Sequence, residues 1–475
     1  MGMATEAPPT EDRRGAPDEE RRRDWRRTFL ALKERDFAVY FSGDMGFFMA
    51  MQMNLILRGY LAVELTGQAT AIGIVSLGQG IPMLMIAPIG GVLADRMNKR
   101  TLLTIMQTFV AGVNLVLAVL IFADLLEFWH LVLGAVGAGT AIATVMPARQ
   151  AVVPQLVPQH RLMNAISLQM AGVNLSRIVG PAVGGALIAP FGGGVAGAGG
   201  VYVITVVLFT LSTLSVLLLP AHGMKARQEE GEAEESFVQR LTGGFAFIGR
   251  TPLFRVLIIT SLVMPFFALP VQQILPVFSE QVFERGPSAL GILIGATGVG
   301  GIIGALASAS LEEYERKNRL MLLGVLVMGG CYLAFALSSF FWLAVAFLVV
   351  GSVGRMLFMV TNNTVIQARV PDAYRGRVMS VLMMSFGTMP LGVLPLTIAA
   401  DALGPQVAVA ALSVLVLITM LSAFVFSTTL RNLRITLLEE RDLSPAQAAR
   451  MVAEGELTQQ EADEITGRDT SAVSA

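Results

Sequence analysis

Twelve long apolar runs, parted by short polar or glycine-bearing turns, restrict this chain more than any other feature of its sequence. They lie at about 36–63, 69–93, 101–125, 131–153, 162–190, 201–219, 253–278, 289–311, 320–337, 341–367, 378–400 and 407–426. Each is long enough to cross a hydrocarbon core of about 30 Å at a helical rise of about 1.5 Å per residue, with some tilt. Lipid offers no partner to backbone N–H and C=O groups, so runs of this length are expected to be helices. Composition agrees: 54% of the residues are hydrophobic and 15% charged, against about 25% charged in a soluble domain. The mean hydropathy is +0.65. The fold class expected is an all-α polytopic membrane protein with twelve transmembrane helices.

Charge placement gives the topology. The net charge of -1 says nothing of partners, because the charges are segregated. Alternate connections hold Arg96, Lys99, Arg100, Arg161, Lys225, Arg227, Arg240, Arg316, Lys317, Arg319, Arg375 and Arg377, whereas the other set holds Arg285 alone. By the positive-inside rule the first set is cytoplasmic, as are both ends of the chain. Residues 1–35 read as a cytoplasmic tail whose Arg21-Arg22-Arg23, Trp25 and Arg26-Arg27 press on an anionic leaflet. Residues 36–220 form a first six-helix bundle, 221–250 an acidic cytoplasmic linker around Glu229–Glu235, 251–430 a second bundle, and 431–475 a cytoplasmic tail. Ser444 and Thr458 open capping boxes, so two short helices are expected in that last tail. A glycine-rich turn is expected at 192–200, and Pro265, Pro270 and Pro276 are expected to break the seventh helix. No cleavable leader is read at the N-terminus, so the first span serves as the insertion signal.

Several function classes drop out. The lone Cys331 gives neither a disulfide framework nor a thiolate metal site, and the three histidines are scattered. There is no G-x-x-x-x-G-K-[ST] loop and no H-E-x-x-H. No catalytic residue, metal site, cofactor or nucleic-acid surface is therefore expected.

The stretch Gly91-Val-Leu-Ala-Asp95-Arg96-Met-Asn-Lys99-Arg100 lies between the second and third runs. Its pattern resembles the loop between helices 2 and 3 of major facilitator superfamily transporters. Gly90 and Gly91 would admit a close neighbouring helix, and the aspartate is not needed in a merely basic turn. The halves also resemble each other. Pro158 and Arg161 before the fifth run match Pro371 and Arg375 before the eleventh. Gly91-Val-Leu-Ala matches Gly304-Ala-Leu-Ala at the same offset, with Ser308 standing where the first copy has Asp95. Parallel six-span repeats are the architecture of this superfamily. Pro147-Ala-Arg149-Gln-Ala and Val370-Pro-Asp-Ala-Tyr-Arg375-Gly-Arg377-Val-Met look like bacterial exporters of the enterobactin-exporter and multidrug type. The resemblance implies two bundles related by a pseudo-two-fold axis, a central cavity and alternating access. It also implies export of a drug-like or siderophore-like molecule across the bacterial inner membrane in exchange for protons. Gating falls to Gly91, Asp95, Arg96 and Arg100, with Arg375 and Arg377 opening helix 11 on the same side.

Within the spans, Gly180-Pro181-Ala-Val-Gly184-Gly185 looks like the G-P-x-x-G-G motif of antiporter-type members. It is either a sealed stretch that limits ion leak or a plain proline-kinked helix. Charges inside spans are costly and usually functional. Asp44, about two turns into the first run, is suited to carry the coupling proton once desolvated, or else is a salt-bridged structural acid. Arg177 and Arg355 would hold a substrate anion or pair with an acid. Gln52, Asn54 and Asn362, with Gln169, Asn174 and Asn363, line a cavity or bond between helices. Arg58 is read as snorkelling to the interface. Arg149 is read at the inner end of the fourth helix, where neither its depth nor its context matches the mid-membrane arginine of proton-coupled drug exporters, and that role is not assigned to it. Met45, Met49, Met51 and Met53 crowd the first helix, as core filling or as an adaptable cavity lining. The expected partners are a small-molecule substrate, protons and membrane lipids. A nutrient importer or lipid flippase of the same fold, or a transport-dead scaffold working through its tails, are the other readings.

Overall fold

The computed structural model describes residues 30–220, 245, 247–311, 314, 316–370, 374, 378, 381–382, 385 and 388–431. The expected tail helices, the acidic linker's 221–244, Arg375 and Arg377 lie outside the described residues, as does most of the N-terminal basic segment.

Twelve helical spans follow in order: α1 (Arg35–Thr66), α2 (Thr70–Arg96), α3 (Lys99–Phe122), α4 (Phe128–Leu156), α5 (Leu162–Ile188), α6 (Gly194–Leu217), α7 (Pro252–Val282), α8 (Gly286–Ser310), α9 (Lys317–Leu337), α10 (Phe341–Arg369), α11 (Met389–Leu403) and α12 (Pro405–Phe426). Among the described residues, ten helices are long and apolar enough to cross a membrane. The other two are the charge-bearing α1 and the short α11. Large apolar side chains such as Met85, Phe122, Leu306 and Phe426 face outward, as lipid contact requires.

Local chemistry sets the breaks. Gly67 closes α1 in the left-handed conformation at φ 69°. Asn98 caps α3, its side chain accepting from the Arg100 amide at 2.9 Å. Proline breaks α7 as expected: its α-helical first part ends at Val263, and π turns follow at Met264–Ala268 and Phe278–Val282. The 192–200 turn is shorter than expected, because α6 already begins at Gly194. Its glycines are packing positions: a Cβ on Gly197 would meet the Ile188 carbonyl at 2.2 Å, and one on Gly199 the Ile121 side chain at 2.6 Å. Close helix contact offsets glycine's poor helix propensity there.

The chain forms two compact units. The first gathers α1–α6 with Pro270–Gly298 and Met389–Ala408, which are the second part of α7, the first part of α8, all of α11 and the first turn of α12. In it α1 packs on α5 and α6, α3 on α4 and α6, and α2 on both α4 and α11. Its core runs through Phe37, Tyr40, Phe47, Leu103, Val145, Val152 and Phe209, with Phe47 and Phe209 edge to face at 5.5 Å. The second unit holds the rest of α7, α8 and α12 with α9 and α10, where α9 and α10 pack along their length. Gly300 and Gly304 let α8 meet the α10 backbone at Val349 and Val353.

Candidate functional site

A buried polar cluster lies inside the first unit and starts at Asp44. Its carboxylate is paired with the Arg149 guanidinium, and the two side chains are 3% and 2% exposed. Gln169 of α5 donates to the second carboxylate oxygen at 3.3 Å. Arg149 also donates to Ser212 of α6 at 3.4 Å, and Ser212 in turn to Gln107 of α3 at 3.2 Å. The Tyr40 hydroxyl donates to the Arg149 carbonyl at 3.4 Å. Above the guanidinium stands the Phe47 ring, 3.8 Å away, a cation–π contact. Five helices thus converge on one ion pair.

Of the two readings of Asp44 this geometry shows the salt-bridged acid, and it corrects the placement of Arg149 at the end of its helix. The fourth helix does not stop at Val153 but runs to Leu156 with Pro154 inside it, so Arg149 sits about two turns from its end and is fully buried. Removing one partner from such a pair would leave a buried charge without compensation, at a cost of about 3–5 kcal/mol. The pair can relax without that cost if Asp44 takes up a proton as Arg149 turns to another acceptor.

Arg58 departs from its expected role too. It does not snorkel but is 3% exposed and donates to Gln79 of α2 at 3.3 Å. Asn54 lies beside it, buried, with its amide bonded to the Ala50 carbonyl of its own helix at 2.9 Å. Phe47, Met51, Asn54, Arg58 and Gln79 line one small cavity in the first unit. Gln52 is half-buried and looks instead toward α5. Arg177 is exposed on α5. In the second unit Arg355 is half-buried, its Nε without a hydrogen-bond partner among the described residues, and Asn362 donates to Ser261 at 2.6 Å.

The Gly180-Pro181-Ala-Val-Gly184-Gly185 stretch is a contact surface. A Cβ on Gly180 would meet Gln52 at 2.7 Å, and one on Gly184 the Met53 backbone at 3.2 Å, so α5 lies tightly on α1. A Cβ on Gly185 would meet the Gly291 backbone of α8 at 3.3 Å, and Pro181 sits within a continuous helix.

At the basic end of α2 the neighbouring glycines differ. A Cβ on Gly90 would strike the Ala143 carbonyl at 2.4 Å, whereas Gly91 faces open space. Arg96 is exposed. Arg100 donates to the Leu217 carbonyl, a cation at the C-terminal end of α6. Leu30 to Lys33 form one tight turn ahead of α1, fixed by the Ala31 amide on Asn164 and by a Glu34–Arg161 ion pair.

The Asp44–Arg149 pairing had only a faint sequence signal, two opposite charges within apolar runs, and nothing in spacing pointed from one to the other. Asp401, whose side chain reaches the start of α2 (below), had none.

Comparison with known proteins places this architecture. The family described as "Transmembrane secretion effector" matches residues 32–456. The staphyloferrin A transporter of Staphylococcus aureus is 25% identical over 401 residues, 84% of this chain and 98% of the relative. The multidrug efflux pump Tap of Mycolicibacterium fortuitum is 29% identical over 391 residues, 80% of this chain and 93% of the relative. Among solved structures, the nucleoside transporter NupG superposes with a TM-score of 0.66 at 16% identity, covering 82% of this chain and 100% of that one. The chain is thus a multi-pass membrane transporter of the major facilitator fold, and it belongs to the transmembrane secretion effector family.

Proposed function

We propose that the protein exports a small drug-like or siderophore-like molecule across the bacterial cytoplasmic membrane by alternating access, in exchange for protons. The observation that carries this reading is the buried Asp44–Arg149 pair with its Gln169, Ser212 and Tyr40 contacts. In the ionised state Asp44 holds Arg149 and ties α1 to α4. A proton on Asp44 neutralises it and frees the guanidinium for another acceptor. Proton binding and helix placement are then linked, which is what coupling requires. Export is the direction favoured by the efflux pump among the relatives.

The two six-helix halves, the cytoplasmic linker at 221–250 and the cytoplasmic placement of both ends belong to the same proposal. So does a gate at the basic end, formed by Gly91, Asp95, Arg96 and Arg100 with Arg375 and Arg377. Gly180, Pro181, Gly184 and Gly185 seal α5 on α1 against ion leak. Arg355, Arg177 and the Asn54 and Asn362 amides offer cargo contacts.

The test is substrate-dependent proton flux in purified proteoliposomes, scanned over a compound library. In a responding assay, Asp44→Asn is expected to abolish proton-driven transport and to leave cargo counterflow largely intact. Proton-driven transport at the wild-type rate in Asp44→Asn would remove this residue from the coupling step.

A further inference from the structure

Ala69 precedes the first residue of α2, and alanine has no side chain with which to cap a helix. The first amides of that helix would be left without acceptors. They are not. The Asp401 carboxylate, from the last turn of α11, accepts from the Ala69 and Thr70 amides at 2.7 Å each, and from the Thr70 hydroxyl as well. All three donors and the acceptor lie in the first compact unit.

Asp401 has no reason of its own to be where it is. A carboxylate in the last turn of a helix faces that helix's negative end, so it works against α11. Aimed at the positive end of α2, the same charge is favourable. Gly404 at φ 88° stops α11 and Pro405 opens α12, which fixes the distance between Asp401 and the turn.

A fitted seam lies beneath the cap. A Cβ on Gly73 would meet Thr397 Oγ1 at 2.5 Å and the Leu394 backbone at 2.8 Å. Two turns on, a Cβ on Gly80 would meet the Pro390 ring at 2.3 Å. The α7 end adds a second tie, since Gln281 donates to the Gly67 carbonyl in the α1–α2 turn at 3.3 Å. Segments from the second half of the sequence thus hold the start of α2 at the end of the molecule that is poor in basic residues.

We propose that Asp401 is a gating residue: its carboxylate is a latch that holds the basic-poor end shut by capping α2. This rests on the alternating-access reading, in which the α2 and α11 halves must part at that end once per cycle. The three hydrogen bonds exist only in the shut state, so Asp401 biases the equilibrium by their full differential strength. The exposed position of Asp401 lets water replace them when the gate opens.

The experiment uses full-length protein in nanodiscs, with Cys331→Ala as background and spin labels at Gln68 and Leu403. Wild type should show a short and a long distance, their ratio moved by cargo. Asp401→Ala should raise the long-distance population about three- to thirtyfold, the range expected for a lost helix cap. Thr70→Val, which removes only the hydroxyl donor, should move it the same way by less. If wild type switches between two distances and both variants keep its populations, the latch is wrong and alternating access stands. If no sample ever leaves the short distance, the latch and the rocking of the halves fall together.

Discussion

Asp44 and Asp401 are both carboxylates that tie distant parts of the chain, yet they do so in opposite surroundings. Asp44 is shut inside the first unit against a guanidinium, with 3% of its side chain exposed. Asp401 stands exposed at a helix end, against backbone amides and a hydroxyl. The buried pair has no water to fall back on, so breaking it is costly and a proton is the cheapest substitute partner. The rim contact exchanges with water at small cost, so it sets a population rather than a charge state. Under the proposed exchange of cargo for protons, the chain has use for one of each.

The largest expected effect breaks the buried member. Arg149→Met leaves Asp44 buried beside an apolar chain. It is expected to lower stability by about 3–5 kcal/mol and to abolish proton-driven transport. The double variant Asp44→Leu with Arg149→Met replaces both charges by apolar groups and should recover most of that stability, while transport stays lost. Thermal unfolding in detergent and flux in proteoliposomes read the two quantities separately. A double variant as unstable as Arg149→Met would mean that the network beyond the pair, through Ser212 and Gln107, holds the fold.

A smaller effect separates packing from electrostatics at the basic end of α2. Gly90→Ala drives a methyl into the Ala143 carbonyl and is expected to cost about 1–3 kcal/mol. Gly91→Ala meets nothing and should be neutral, or stabilising by about 0.8–1 kcal/mol through helix propensity. Equal unfolding temperatures for the two variants would show that α2 and α4 separate easily there.

These regions also differ in how legible they were. The spans were plain, because lipid forces apolar helices whose lengths hydropathy reports, and most ends fell within a few residues. The loop at Asp95 was legible because its residues are contiguous. Arg149 was misjudged because the fourth span was ended at Val153. Pro154 lies inside the helix, so the extra turn is not visible in the pattern, and depth is one of the two grounds, with sequence context, against that residue. Gly197, Gly199 and Gly200 read as a turn because only three-dimensional contact shows which glycines have neighbours. Asp401 carries no signal in the sequence, since its partners at Ala69 and Thr70 lie in the other half of the chain.

The smallest effect tests whether the rim device exists at both ends of α2. Asp95 stands in the last turn of α2, again the wrong end of its own helix for a carboxylate. The sequence resemblance implies that it faces Arg375, Gly376 and Arg377, ahead of the eleventh apolar run. A carboxylate near a helix N-terminus is worth about 0.3–1 kcal/mol when exposed, and an arginine hydrogen bond would add to that. Asp95→Asn should then raise the population open at the basic end about two- to fivefold, the opposite direction to Asp401→Ala. Because the two sites sit at opposite ends of one helix, their effects should be nearly additive. The double variant should therefore return toward the wild-type ratio of states, with faster exchange between them. Spin-label distances at the basic end, taken beside those at Gln68 and Leu403, measure all four forms. If Asp95→Asn slows transport while its basic-end distances match wild type, Asp95 acts by another route and the two ends of α2 are not equivalent latches.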